Sequence, residues 1–137
     1  MQRISKIEYA LEIAKVCALR SEDPHRKVGA VGLSKDGRIV STGYNGLAPG
    51  KEVSEAFWLD RTGRLPYVIH AEANMLARCK LGEVYYVACT LSPCIECMKL
   101  MIAHGVKEIY YIEEYERDTK AFDLASFYGI TLMQIAN

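Results

Sequence analysis

The sequence predicts an α/β fold: a three-layer α/β/α sandwich around a five-stranded mixed sheet that carries an N-terminal hairpin. Two patterns predict it. Helical and strand-like segments alternate through the second half of the chain, which implies parallel pairing with the helices as crossovers. Ahead of them, two short strand-like runs flank Ser34-Lys35-Asp36-Gly37, whose Asp-Gly favours a hairpin and adds an antiparallel edge. The chain has 137 residues, of which 50% are hydrophobic and 25% charged, ordinary values for one globular domain. No repeat, linker or low-complexity run divides it, so residues 1–137 are expected to form a single domain.

The elements follow in order. Residues 5–20 place Ile7, Leu11, Ala14 and Ala18 at helical spacing, and Ser5 with Glu8 reads as a capping box. After a polar break at residues 21–25, residues 28–33 and 38–42 read as the hairpin strands, and Gly43-Tyr44-Asn45-Gly46 ends the second in a loop. Residues 47–66 have no clear period, and a helical turn is expected near 53–59, where Phe57, Trp58 and Leu59 cluster. A helix over 70–81 stopped by Gly82 comes next, then a strand over 84–90. A helix over 94–104 is opened by Pro93 in its first turn and closed by Gly105. A strand over 106–112, a helix over 118–128 stopped by Gly129 and a strand over 130–135 complete the chain.

Lys plus Arg and Asp plus Glu each number 17, so the formal net charge is zero. A protein that grips a long polyanion normally carries a basic excess. Neutrality therefore argues against nucleic acid as a partner and leaves room for a small anionic ligand held by local cations. The five cysteines are an odd number, and no apolar export segment precedes the first helical pattern. They do not read as a disulfide framework, and the expected setting is the reducing cytoplasm. No stretch approaches the roughly 20 apolar residues of a membrane span, so no membrane partner is expected. Cys17, Cys79 and Cys89 fall in helix or strand patterns and read as small core residues.

Two short motifs stand apart from this scaffold: His70-Ala71-Glu72 and Pro93-Cys94-Ile95-Glu96-Cys97. Each opens a helix at the carboxyl side of the sheet, where open α/β folds place ligands. Cys94 and Cys97 share one helix face in the first turn, where free N–H groups and the helix dipole favour a thiolate. One His and two Cys make three zinc ligands, and three ligands leave a position for water, the catalytic rather than the structural pattern. Such a water loses its proton near neutral pH. Glu72 is then better placed to move protons than to ligate. Either half alone is weak: a lone Cys-x-x-Cys could be redox-active or half of a structural site. Together they match the His-x-Glu…Pro-Cys-x-x-Cys signature of zinc nucleobase deaminases.

On these motifs the chain resembles the zinc-dependent cytidine and deoxycytidylate deaminases, and within them the deoxycytidylate (dCMP) deaminases. The resemblance runs over nearly the whole length. It also rests on Ser21-Glu22-Asp23-Pro24-His25-Arg26-Lys27-Val28-Gly29-Ala30, on Gly43-Tyr44-Asn45-Gly46, on the residues 66–72 leading into His-Ala-Glu, and on Thr90-Leu91-Ser92-Pro93-Cys94. It implies a cytidine deaminase-like fold and hydrolysis of dCMP to dUMP and ammonia for thymidylate synthesis. His70, Cys94 and Cys97 would bind one Zn²⁺ per chain, and Glu72 would shuttle protons between the activated water, N3 and the leaving ammonia. Tyr115 would stack on the base, Asn45 would meet the sugar, and Arg26, with Lys27, the 5′-phosphate; Ala71 and Ser92 complete the expected substrate contacts. Also implied is a homo-oligomer, with a hexamer favoured. It would be activated by dCTP with Mg²⁺ and inhibited by dTTP at a site involving Gly43, Tyr44 and Gly46.

The brevity of the chain suggests a phage member, which would work in the host cytoplasm. There are departures from the family pattern. Met75 stands where a small residue is common, and Asp23 and Pro24 stand where some relatives carry ligands of a second zinc. Two other readings stay open: the same chemistry on free cytidine, cytosine or tRNA adenosine, and a catalytically silent nucleotide sensor.

Overall fold

The computed structural model describes residues 2–115 and 119–136. The elements are α1 (Lys6–Leu19), β1 (Gly29–Leu33), β2 (Ile39–Tyr44), α2 (Glu55–Leu59), α3 (Ala71–Leu76), β3 (Tyr86–Leu91), α4 (Ile95–His104), β4 (Glu108–Glu113), α5 (Lys120–Tyr128) and β5 (Thr131–Gln134). They form one five-stranded sheet of order β2-β1-β3-β4-β5. β1 is antiparallel to both β2 and β3, whereas β3, β4 and β5 are mutually parallel. The expected α/β sandwich with its leading hairpin is the observed fold. What periodicity did not convey is that β1 separates β2 from β3, so the chain passes over β1 between them.

Local signals explain most boundaries. Ser5 and Glu8 form a complete capping box at α1. Gly105 and Gly129 end α4 and α5 in the left-handed conformation, at φ 97° and 68°. Pro93 lies ahead of α4 rather than in its first turn, because Cys94 is the extended N-cap and its sulfur accepts from the Cys97 N–H. α3 is shorter than the expected 70–81 segment. Beyond Leu76 the chain leaves the core, and Ala77, Arg78, Lys80 and Leu81 are exposed, so no apolar face holds further turns in place. The expected start of the last helix at Asp118 lies outside the described residues.

The strand pleat sends alternate residues to two cores. On one face α1 brings Ala10, Leu11 and Ala14 against Val31, Leu33 and Ala88. On the other, α3, α4 and α5 bring Met75, Met98, Met101 and Ala125 against Ala30, Val87, Cys89 and Ile109. A strand covered on both faces has no solvent side, which is why β1 reads Gly-Ala-Val-Gly-Leu without a polar residue. Met75 is fully buried, and its sulfur fills the space a side chain would take at Gly32. No helix among the described residues is long and apolar enough to cross a membrane.

Two glycines set how closely helices approach the sheet. A Cβ at Gly29 would lie 1.9 Å from the Ala14 carbonyl oxygen of α1, and one at Gly43 would lie 2.5 Å from the Ala71 carbonyl oxygen of α3. Both obstacles are backbone and cannot move aside without displacing a helix. Gly29→Ala is expected to destabilise the protein by about 1–3 kcal/mol or more. Gly46→Ala, with nothing within 4 Å of the added carbon, is expected to stay within about 0.5 kcal/mol of the parent. Urea unfolding of the two variants checks this, and equal midpoints would refute it.

Candidate metal centre and its cavity

Because β1 runs antiparallel to both neighbours, β2 and β3 point the same way, and the helices that follow them start at the same sheet edge. His70 is the extended N-cap of α3, at φ −69° and ψ 153°, and Cys94 is the extended N-cap of α4, at φ −73° and ψ 168°. The His70 Nδ1 atom lies 3.3 Å from the Cys97 sulfur and 3.5 Å from the Cys94 sulfur. The three donor atoms all fall within 4.8 Å of one another, the sole such cluster among the described residues. A tetrahedral zinc with ordinary Zn–N and Zn–S bonds separates a nitrogen from a sulfur by about 3.6 Å. The donor set therefore fits a zinc ion in type and in spacing.

The electrostatics point the same way. The Cys94 thiol is pulled down to about 4, chiefly because Cys97 donates to its sulfur, with His70 adding to the effect. The same bond drives Cys97 far above the usual thiol range. His70 is raised by its bond to Cys94. Glu72, in the first turn of α3, is buried, and burial pushes its carboxyl up to about 7.

These groups open on a cavity of about 540 Å³, within the range of small-molecule sites. Val28, Ala71 and Leu91 give it apolar walls, and Glu72, Ser92 and Tyr115 line it as well. Ser92 is buried and double-tied to the end of β4. Its N–H donates to the Glu113 carbonyl at 2.8 Å, and its hydroxyl accepts from the Tyr115 N–H at 2.6 Å. Tyr115 is thereby brought to the cavity from a segment 23 residues away.

Asn45 lines the cavity too, but its amide already clamps the chain ahead of β1. Its Oδ1 accepts from the Val28 N–H at 2.9 Å and its Nδ2 donates to the Arg26 carbonyl at 2.8 Å. Arg26 reaches the cavity, with Glu113 3.9 Å from its guanidinium. Both partners are largely exposed, so the pair contributes little. Lys27 is exposed and lies outside the cavity lining. Of the residues expected at an effector site, Gly43 is buried, and its missing side chain admits α3 rather than a ligand. The Tyr44 carbonyl accepts from Asn74 at 2.9 Å, and Gly46 pairs with Ile69.

Several cavity residues escaped the sequence reading. Asp23 and Arg64 form a buried ion pair at 2.9 Å, with side chains 3% and 6% exposed. The other Asp23 oxygen accepts from the His25 and Arg26 N–H groups. Arg64 also donates to the Arg61 carbonyl, and the His25 ring bonds the Trp58 carbonyl at 2.8 Å. The long 47–69 connection is thus fastened to the segment ahead of β1, and Arg61 and Thr62 become part of the cavity wall. The Asp23–Arg64 partners are 41 residues apart, and no periodicity signals such a pair. An Arg set in an otherwise aperiodic loop was the only hint.

Comparison with known proteins agrees with this geometry. The family model of the cytidine and deoxycytidylate deaminase zinc-binding region matches residues 4–113. A probable deoxycytidylate deaminase of Caenorhabditis elegans is 39% identical over 87% of this chain, which spans 62% of that relative's length. A deoxycytidylate deaminase of Mycobacterium phage D29 is 35% identical over 83% of this chain and 99% of its own. The crystal structure of dCMP deaminase from the cyanophage S-TIM5 in complex with dCMP and dUMP matches with a TM-score of 0.81 at 29% identity, covering 98% of this chain and all of that one. Matched over most of its length by the family model, with the zinc motifs inside the matched region, the chain belongs to the cytidine and deoxycytidylate deaminase family.

Proposed function

We propose that this chain hydrolyses dCMP to dUMP and ammonia, feeding thymidylate synthesis. The observation that carries the reading is a buried Glu72 beside a His70/Cys94/Cys97 donor set on a cavity of about 540 Å³. The likeness to a cyanophage enzyme of the same fold in complex with dCMP and dUMP supports the substrate.

His70, Cys94 and Cys97 would hold zinc, one per chain. When bound there, zinc supplies a nucleophilic water near neutral pH and leaves a coordination position open for it. Glu72 accepts the proton that the attacking water gives up and delivers it to N3 of the cytosine, which makes C4 more electrophilic. It then takes the second proton, from the new C4 hydroxyl, and passes it to the departing amino group, so that ammonia leaves as C4 becomes a carbonyl. Ala71, Val28 and Leu91 hold the ring in an apolar slot, Tyr115 stacks on it, and the free hydroxyl proton of Ser92 is available to a polar edge of the substrate. Asn45 borders the sugar, and Arg26, with Lys27 at longer range, answers the phosphate.

The reading extends to one domain over residues 1–137 acting in the cytoplasm, that of the host if the chain is viral. It includes a homo-oligomer, a hexamer favoured, regulated by dCTP with Mg²⁺ and by dTTP near Gly43, Tyr44 and Gly46. The family resemblance supports these extensions.

Three experiments test the proposal. Glu72→Gln keeps the shape of the side chain and removes its proton exchange. It is expected to lower kcat for dCMP by about 10²–10⁴-fold at unchanged zinc content, and undiminished turnover would sink the role of Glu72. Dialysis against a strong chelator is expected to abolish dUMP formation and zinc readdition to restore it. Persistent activity in zinc-free protein would exclude the metal. Finally, dCMP, deoxycytidine, single-stranded DNA and tRNA are offered with and without dCTP–Mg²⁺. Turnover is expected on dCMP above all and to rise with dCTP, and preference for a polynucleotide would overturn the substrate assignment.

A further inference from the structure

Among the described residues three arginines line the cavity, Arg26, Arg61 and Arg64, and their charges are committed differently. Arg64 is buried and neutralised by Asp23 at 2.9 Å. Arg26 has the Glu113 carboxylate 3.9 Å away. The Arg61 side chain makes no hydrogen bond or ion pair among the described residues. Its backbone is nevertheless held, because the Arg61 carbonyl accepts from Arg64, which is itself fixed by the buried carboxylate of Asp23. The result is a guanidinium with no partner among the described residues, on an anchored turn. Thr62 lines the wall beside it.

Among the described residues the rest of the cavity adds carboxylates rather than further arginines or lysines. Glu72 and Glu114 line it, and Glu113 faces Arg26 at its edge. The chain as a whole is neutral, so no general field draws in a dianion, and recognition of one must come from cations placed by hand. A nucleoside needs no such cation, whereas a nucleoside monophosphate brings a phosphate close to a double negative charge. Arg suits that group because its planar fork offers two parallel N–H donors.

We propose that Arg61, carried into the cavity by the buried Asp23–Arg64 pair, binds the 5′-phosphate of the substrate together with Arg26 and sets the preference of the site for a nucleotide over a nucleoside. This rests on the deaminase reading above and deepens it: the long 47–69 connection supplies substrate selection, alongside the segment that carries Arg26. Asp23 and Arg64 are positioning residues, since they act through the backbone of Arg61, His25 and Arg26 and are not themselves free to meet the ligand.

The test compares Arg61→Ala, Arg61→Lys and Arg26→Ala with the wild type, all zinc-replete. Steady-state rates are measured on dCMP, and calorimetry measures binding of dUMP and of deoxyuridine. Loss of a charge-assisted contact is expected to cut kcat/KM for dCMP by about 10–100-fold in Arg61→Ala, chiefly through KM. Affinity for dUMP should fall by a similar factor, with deoxyuridine binding unchanged and partial recovery in Arg61→Lys. Unaltered dUMP affinity in Arg61→Ala would overturn the inference. So would an equal loss for dUMP and deoxyuridine, which would mark a structural effect. The wild type alone tests the underlying reading: if it forms no dUMP from dCMP, the substrate assignment falls and takes this inference with it. If it does, the Arg61 variants decide the inference separately.

Discussion

Because β1 lies antiparallel between β2 and β3, those two strands run the same way although they never touch. The rest of the site depends on that arrangement. Helices α3 and α4 both start at the same edge, so His70 and Cys94 occur as N-caps within reach of each other. Free N–H groups at both helix starts favour negative charge there, which suits thiolates and an ionisable Glu72. The close seating of α3 on β2 requires Gly43, and that of α1 on β1 requires Gly29. Substituting either would move the platform on which the donors stand.

Around the metal donors, polar ties rather than apolar packing give the cavity its shape. Asn45 and Asp23 together bond the backbone of His25, Arg26 and Val28, Ser92 holds Tyr115, and Arg64 holds the turn at Arg61. Each tie is buried or partly buried, where an unpaired polar group costs more than a formed bond gains. The loops at this edge are therefore set by the same network that lines the cavity. A lost partner would disturb both the wall and the groups it carries.

Charge is arranged locally on a neutral chain. Among the described residues the cavity carboxylates other than the paired Asp23 lie near the donors and the end of β4, while the arginines stand on two separate segments, 23–28 and 60–65. A ligand that is apolar and hydrogen-bonding at one part and anionic at another fits this division better than a uniform polymer does. One of the cavity arginines, Arg64, is neutralised by Asp23.

The local parts of this protein were legible in its residues. The capping box at Ser5 and Glu8, the glycine stops at residues 105 and 129, the alternation of helices and strands and the donor types of His70, Cys94 and Cys97 all act over a few positions. A period or a short motif carries such information completely. The reading failed where burial, not propensity, decides: α3 stops at Leu76 because the chain then leaves the core. Only the tertiary structure decided that β1 sits between β2 and β3, that Asp23 meets Arg64 across 41 residues, that Ser92 holds Tyr115, and that Arg61 stands on the cavity wall. A polar side chain far along the chain has many partners of equal chemistry open to it. Which one it takes is chosen by strand order and by the burial that makes an unpaired charge too costly to leave.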